Sequence, residues 1–190
     1  MALAILGGRF DPPHLGHYWV AKQVLELRPD IDALWLVPAA QHQWKPTLAS
    51  AQARLTMLGF FDHSKMIVSD VEINRGGVSY SIDTIKTIKK QTGEAIFWIV
   101  GADIVAEFSR WEKAEELTTL ATFLVFPRDP YILPPKLPRG FEAIDGKDLI
   151  VTNLSSTIIR KYLEEGKSIT GFVPEGIERY IKDKGLYKKR

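Results

Sequence analysis

Two histidines, His14 and His17, stand on either side of Leu15–Gly16, and just ahead of them runs Gly7-Gly8-Arg9-Phe10-Asp11-Pro12-Pro13. Glycine lets backbone N–H groups come close to a ligand. Arg9 offers a fixed charge whose fork matches phosphate oxygens. Pro12–Pro13 stiffens the turn. Imidazoles at this spacing at the start of a helix lie about one turn apart on the same side, where the helix dipole also favours anions. Any one of these residues alone reads as a glycine turn or a surface histidine. Two of the chain's four histidines around a rigid turn, directly after an apolar run, read as a phosphate site. A zinc site would need further ligands, and the chain has no cysteine and no third well-spaced histidine to supply them.

A second cluster lies near the other end, in Asn153-Leu154-Ser155-Ser156-Thr157-Ile158-Ile159-Arg160. One hydroxyl suffices to cap a helix, and here Ser155, Ser156 and Thr157 stand together ahead of Ile158, Ile159, Tyr162 and Leu163. Arg160 lies one turn past Thr157, so its guanidinium reaches back to the same helix N-terminus. Free N–H groups, hydroxyls and an arginine suit a polyphosphate.

These residues need a frame that brings distant segments together. The chain has 190 residues, 45% hydrophobic and 25% charged, enough for one domain with a real core. Lys+Arg exceeds Asp+Glu by 25 to 23, which predicts neither a nucleic-acid nor a membrane surface. The absence of cysteine removes disulfide scaffolds and thiol nucleophiles. The apolar start of the chain is too short to span a bilayer and lacks a basic leader and cleavage site, so a cytoplasmic protein is expected.

Apolar runs alternate with helical periodicity. Strands are expected at Leu3–Leu6, Ala33–Val37, Ala95–Val100, Thr122–Phe126 and Leu149–Val151, with extended segments at Met66–Val68 and Val71–Ile73. Helices are expected at Leu15–Leu27, Ser50–Phe61, a Ser81-capped segment ending at Gly93, Glu112–Leu120, Ser155–Glu165 and Glu175–Lys184. Pro127–Arg139 holds five prolines and reads as a surface loop. The alternation predicts an α/β fold, a parallel sheet with helices on both faces. Ligands in such folds sit beyond the carboxyl ends of the strands. Gly7–His17, Gln41–Pro46 and Gly101–Trp111 all fall at those ends.

Gly8–His17 resembles the G-x-F-D-P-x-H-x-G-H signature of the adenylyltransferases in the H-x-G-H nucleotidyltransferase superfamily. Asn153–Arg160 resembles its I-S-S-T-x-I-R motif, with Leu154 in place of isoleucine. The segment Asn74–Thr84, containing Ser79-Tyr80-Ser81, resembles the S-Y-T-x-x-T-L region of nicotinate mononucleotide adenylyltransferases. Gly101-Ala102-Asp103 with Phe108 and Trp111 resembles that family's G-x-D-x-x-x-x-F-x-x-W, and Val173–Tyr187 its closing helix. The match covers nearly the whole chain. It departs at Arg9, where bacterial members carry a small hydroxyl residue and archaeal nicotinamide mononucleotide enzymes carry arginine. It departs also at Gln41–Pro46, which stands for P-P-H-K while Lys45 keeps the cation, and at Ser81, which stands for threonine.

The resemblance implies a Rossmann-like nucleotidyltransferase fold in a single domain, residues 1–190, with C-terminal helices carrying the second phosphate motif. It implies transfer of AMP from ATP to nicotinate mononucleotide, giving nicotinate adenine dinucleotide and pyrophosphate in NAD biosynthesis. The alternatives are nicotinamide mononucleotide as substrate, a pantetheine-phosphate adenylyltransferase, a cytidylyltransferase, or a non-catalytic nucleotide sensor. The implied catalytic residues are His14, His17 and Arg160, with His17 nearest the α-phosphate. ATP is assigned to Gly7, Gly8, Arg9 and Phe10, to Gly101 and Asp103 at the adenosine, and to Ser155, Ser156 and Thr157. The mononucleotide is assigned to Lys45, Tyr80, Thr84 and Arg128, and to Trp111 stacked on the pyridine ring. Arg9 and Lys45 are placed either on the mononucleotide phosphate or bridging to the triphosphate. Mg²⁺ is expected on the ATP phosphates with no protein metal cage. No nucleic acid or membrane partner is expected, and homo-oligomerisation is left open.

Overall fold

The computed structural model describes residues 1–43 and 46–188. Six strands form one sheet in which every pairing is parallel: Ala2–Gly8 (β1), Ala33–Pro38 (β2), Met66–Val68 (β3), Ala95–Gly101 (β4), Thr122–Phe126 (β5) and Phe141–Ala143 (β6). Their order is β3-β2-β1-β4-β5-β6. The helices are Leu15–Leu27 (α1), Ala51–Leu58 (α2), Val71–Arg75 (α3), Ser81–Thr92 (α4), Ala102–Val105 (α5), Ala114–Leu120 (α6), Ser156–Glu164 (α7) and Glu175–Lys184 (α8). A short 3₁₀ turn occupies Phe108–Arg110.

The apolar runs become central strands because both of their faces are covered. Alternate residues go to opposite sides. Ala4 and Leu6 of β1, Leu34 and Leu36 of β2 and Ile99 of β4 pack under Val24 of α1, Met57 of α2, Ile159 of α7 and Ile177 of α8. Leu3, Ile5, Trp98 and Val100 face Ile82, Ile85 and Ile88 of α4 and Leu117 of α6. Each fully buried side chain of this size adds about 1.5–3 kcal/mol over leaving it exposed. The chain runs outward from β1 to β3 and returns on the other side at β4. The crevice of such a sheet opens at that reversal, beyond Gly8, Pro38 and Gly101.

Several local expectations need correction. Val71–Ile73 is not extended but lies in α3, a helix of five residues, too short to show a period. Ser81 is the first residue of α4 and not its cap, which is Tyr80 in extended conformation. α6 starts at Ala114 and not at Glu112, because Lys113 has φ 55. α2 is shorter than Ser50–Phe61, and the Ser50 hydroxyl caps it by accepting from Ala53 N–H at 3.1 Å. Leu149–Val151 is not a strand. The Ile150 N–H donates to Gln23 Oε1 at 2.6 Å, and its carbonyl accepts from Gln23 Nε2 at 3.1 Å. The side-chain amide of α1 thus takes the place of a neighbouring strand. The sixth strand is Phe141–Ala143, on the far side of the proline-rich loop. Gly7 and Gly8 belong to β1 and do not follow it, since pairing with β2 continues to Gly8 opposite Pro38. A Cβ at Gly7 would meet the Trp98 indole at 2.8 Å, so close packing requires that glycine.

Candidate active site

The chain leaves β1 through a loop in which Arg9, Asp11 and Pro12 are held by distant partners. Phe10 adopts φ 51 with its ring buried. An aromatic residue in that backbone region costs about 1–3 kcal/mol, and burying its ring offsets the cost. The Asp11–Pro12 peptide is cis. The Arg9 carbonyl accepts from Nη1 of Arg54, a fully buried arginine that also donates to the Ala39 carbonyl at 2.7 Å. One guanidinium thus ties the loop after β1 to the loop after β2.

His14 is the extended N-cap of α1, and His17 stands one turn in. The rings are 3.7 Å apart between centroids and inclined by 31°. Phe10 closes the other side of His17, at 4.8 Å. His17 Nδ1 accepts from the His14 main-chain N–H at 3.2 Å, which leaves the proton of the neutral ring on Nε2. Burial pulls the His17 pKa down to about 3, with Arg128 adding repulsion. Burial also holds His14 well below the usual imidazole range, with further contributions from His17 and Arg128. Both rings are therefore neutral at pH 7, and His17 presents a donor without carrying a charge. His14 Nδ1 is buried without a hydrogen-bond partner. A Cβ on Gly16 would meet that atom at 3.0 Å, so the glycine between the histidines makes room for the ring.

The second motif touches the first. Ser155 caps α7, accepting from Ile158 N–H at 3.3 Å. The Ser156 hydroxyl donates to the Pro12 carbonyl at 2.8 Å. Arg160 donates through Nη1 to the Asp11 carbonyl at 2.6 Å and through Nη2 to Thr157 Oγ1 at 3.2 Å. Two segments about 145 residues apart in sequence form one structure.

A cavity of about 560 Å³ opens at this junction. Gly7, Gly8, Arg9, Phe10, His14 and His17 line one side, and Ser155, Ser156 and Thr157 line another. The remaining wall includes Tyr80, Gly101, Asp103, Trp111 and Arg128. Arg128 pairs with Asp103 at 3.2 Å, while Asp103 Oδ1 is buried and unpartnered. A Cβ at Gly101 would run into that carboxylate. Trp111 is half-buried against Phe108 and Phe123, with ring centroids at 5.5 and 6.2 Å. Arg9 donates to the Pro46 carbonyl at 3.2 Å. Its pKa is lowered, first by burial and then by the Arg160 charge.

Two expected site residues stand away from this cavity. Arg160 lines an adjoining depression, which shares Thr157 with the main cavity. Thr84 is fully buried off the cavity. Its hydroxyl donates to Glu72 Oε1 at 2.6 Å and accepts from Arg75 Nη2 at 3.1 Å. It is therefore a framework residue and not a wall of the cavity. Lys45 lies outside the described residues.

Other residues stand at the site to which the sequence assigns no role. Glu72 is buried beside the cavity, and burial raises its pKa. Ser81 lines the wall next to Tyr80. The Ser79 hydroxyl accepts from Ala40 N–H at 2.9 Å, which fastens the Tyr80 arm to the loop after β2. Only a buried Arg54 or Gln23 inside an otherwise amphipathic helix hints at such work, and sequence alone does not name the partner. Among the described residues no three His, Cys, Asp or Glu side chains are grouped to hold a metal, and no helix is long and apolar enough to cross a membrane.

A Rossmann-like parallel sheet brings the His14–His17 and Ser155–Thr157 segments to one cavity at its strand reversal, an arrangement that suits a nucleotidyltransferase. Residues 5–162 match the family described as cytidylyltransferase-like. The chain is 35% identical over 192 residues to a probable nicotinate-nucleotide adenylyltransferase of Halalkalibacterium halodurans, covering 98% of this chain and 91% of that protein. It is 36% identical over 201 residues to one of Gemmatimonas aurantiaca, covering 100% and 93%. The structure is similar to a nicotinic acid mononucleotide adenylyltransferase of Plasmodium falciparum complexed with NaAD. That match has a TM-score of 0.84 at 22% identity over 98% of this chain and 97% of the other, and the likeness is one of fold. The chain belongs to the cytidylyltransferase-like family, and within it to the nicotinate-nucleotide adenylyltransferases.

Proposed function

We propose that the protein joins nicotinate mononucleotide to the AMP portion of ATP in NAD biosynthesis. An oxygen of the mononucleotide phosphate forms a bond to the α-phosphorus, the bond from that phosphorus to the bridging oxygen breaks, and pyrophosphate leaves. The observation that carries this reading is the Ser156–Pro12 hydrogen bond, which sets the N-terminal ends of α1 and α7 against one cavity. The attacking phosphate is already anionic, so no strong base is required. Positioning and charge stabilisation carry the rate.

In this mechanism His17 donates from Nε2 to an α-phosphate oxygen, with His14 beside it. Ser155, Ser156 and Thr157 hold the β- and γ-phosphates. Arg160 turns its remaining N–H groups to the leaving pyrophosphate. Gly7, Gly8, Arg9 and Phe10 form the floor for ATP, and Gly101 with the free Oδ1 of Asp103 receives the adenosine. Tyr80, Trp111, Arg128 and Lys45 receive the mononucleotide, with Thr84 acting from beneath through Glu72. The donors here are N–H and O–H groups suited to phosphate oxygens, so the chain fits a Mg²⁺ held by phosphates and water. When bound, that ion neutralises charge on the leaving phosphates. We read residues 1–190 as one catalytic domain working in the cytoplasm, on the supply of its nucleotide substrates.

The test is pyrophosphate release from ATP with each mononucleotide in turn. Release with nicotinate mononucleotide and a far lower rate with nicotinamide mononucleotide is the expected result. The reverse order would assign Arg9 the role it suggests in the nicotinamide enzymes. No release with either of these or with pantetheine phosphate would favour a nucleotide sensor.

A further inference from the structure

Asp11, in the turn after β1, is fully buried and meets three other segments of chain. Its Oδ2 accepts from Leu48 N–H at 2.7 Å, and its Oδ1 accepts from Ala49 N–H at 3.0 Å. The Tyr187 hydroxyl also donates to Oδ1, at 2.7 Å. Its main-chain carbonyl accepts from Arg160 Nη1 at 2.6 Å. A buried carboxylate is costly unless its oxygens are hydrogen-bonded, and this one is held by three donors.

Tyr187 is the member that arrives from farthest away. α8 ends at Gly185 in the left-handed region, and the chain turns back so that Tyr187, at φ 60, reaches the loop. Residues other than glycine take that conformation only when something holds them in it. Burial and the Asp11 charge raise the phenol's pKa, so it stays a donor throughout the working pH range.

We propose that Tyr187 is a positioning residue for adenylyl transfer, whose hydroxyl occupies Asp11 Oδ1 and so keeps the Arg160 guanidinium on the Asp11 carbonyl, free to serve pyrophosphate. A guanidinium beside a carboxylate with a vacant lone pair binds the carboxylate in preference to a carbonyl. With the hydroxyl gone, Oδ1 keeps only Ala49 N–H and draws Arg160 inward, away from the ligand. The inference rests on the reading of Arg160 as a pyrophosphate residue.

The experiment measures kcat and KM for both substrates in Tyr187→Phe, in Arg160→Ala and in the double variant. Tyr187→Phe removes one oxygen and keeps the ring, and its thermal midpoint reports folding. Expected is a loss of about tenfold in kcat/KM for ATP, the size of one charge-assisted hydrogen bond, with KM for the mononucleotide unchanged. Expected too is no further loss from Tyr187→Phe once Arg160 is alanine. A smaller ATP-induced rise in thermal midpoint, with the mononucleotide-induced rise intact, supports the same conclusion. Equal losses from Tyr187→Phe in both backgrounds, or equal shifts for both substrates, would overturn the proposal while leaving the Arg160 reading in place. An Arg160→Ala variant within twofold of the parent would instead overturn the Arg160 reading, and this inference with it.

Discussion

The His17 ring takes its orientation from the backbone of His14: the His14 N–H donates to His17 Nδ1 at 3.2 Å, and the two imidazoles then lie 3.7 Å apart. The bond fixes the tautomer, and burial suppresses the charge. His17 Nε2 is thus a donor oriented in advance, which needs no rearrangement when charge develops on an acceptor oxygen.

Replacing His17 with alanine removes that donor. The expected loss is ~2–4 kcal/mol of transition-state stabilisation, the range for one preorganised donor. Steady-state kcat/KM for ATP measures it. A turnover within about tenfold of the parent, or roughly 1.4 kcal/mol, would show that His17 does not contact the reacting phosphate.

The histidine pair also sets an acid limit on stability. An unfolded imidazole gains a proton below pH 6.5, whereas folded His17 resists protonation down to about 3. In that interval the unfolded state binds more protons, so the native state loses stability as pH falls from 6.5 towards 3. Above pH 6.5 the pair contributes no slope. Urea unfolding at stepped pH gives the curve, and imidazole ¹⁵N NMR gives the midpoint directly. A His17 midpoint at or above 6.5 in the free protein contradicts the neutral pair. Bound ATP, bringing negative charge, is expected to move the midpoint upward.

Trp111→Ala is expected to raise KM for the mononucleotide by the equivalent of about 1–3 kcal/mol, the range for base–aromatic stacking, and to leave KM for ATP nearly unchanged. Equal changes in both constants would assign Trp111 to the support of Phe108 and Phe123, which its ring also touches.

Gln23→Ala withdraws the amide that pairs with both backbone groups of Ile150. Leaving those groups partly buried and unpaired costs about 1–3 kcal/mol in denaturant unfolding. Ile150, Thr152 and Leu154 line the cavity, so KM for ATP is expected to rise as well. Unchanged stability would mean that water substitutes for the amide.

Much of this arrangement was legible in the residues. β1, α1, β2 and α8 follow from uninterrupted apolar runs or clear helical spacing, and the two segments read as phosphate motifs touch in the structure. Short elements escaped because α3 has fewer residues than a pattern needs. Leu149–Val151 misled because its apolar residues look strand-like, while its hydrogen bonds go to a side chain on α1. Thr84 belonged to a recognisable motif, yet its hydroxyl turns inward to Glu72. The roles of Arg54, Glu72 and Tyr187 depend on partners more than seven residues away, and no local signal in a sequence names such partners.

The margins of the sheet have a consequence for how copies of this chain meet. Both outer strands, Met66–Val68 and Phe141–Ala143, are three residues long. An edge that short exposes too few free N–H and C=O groups to template a further strand, which protects the protein against ribbon-like aggregation. Self-association through side-chain surfaces is therefore favoured over strand pairing at the sheet's margins.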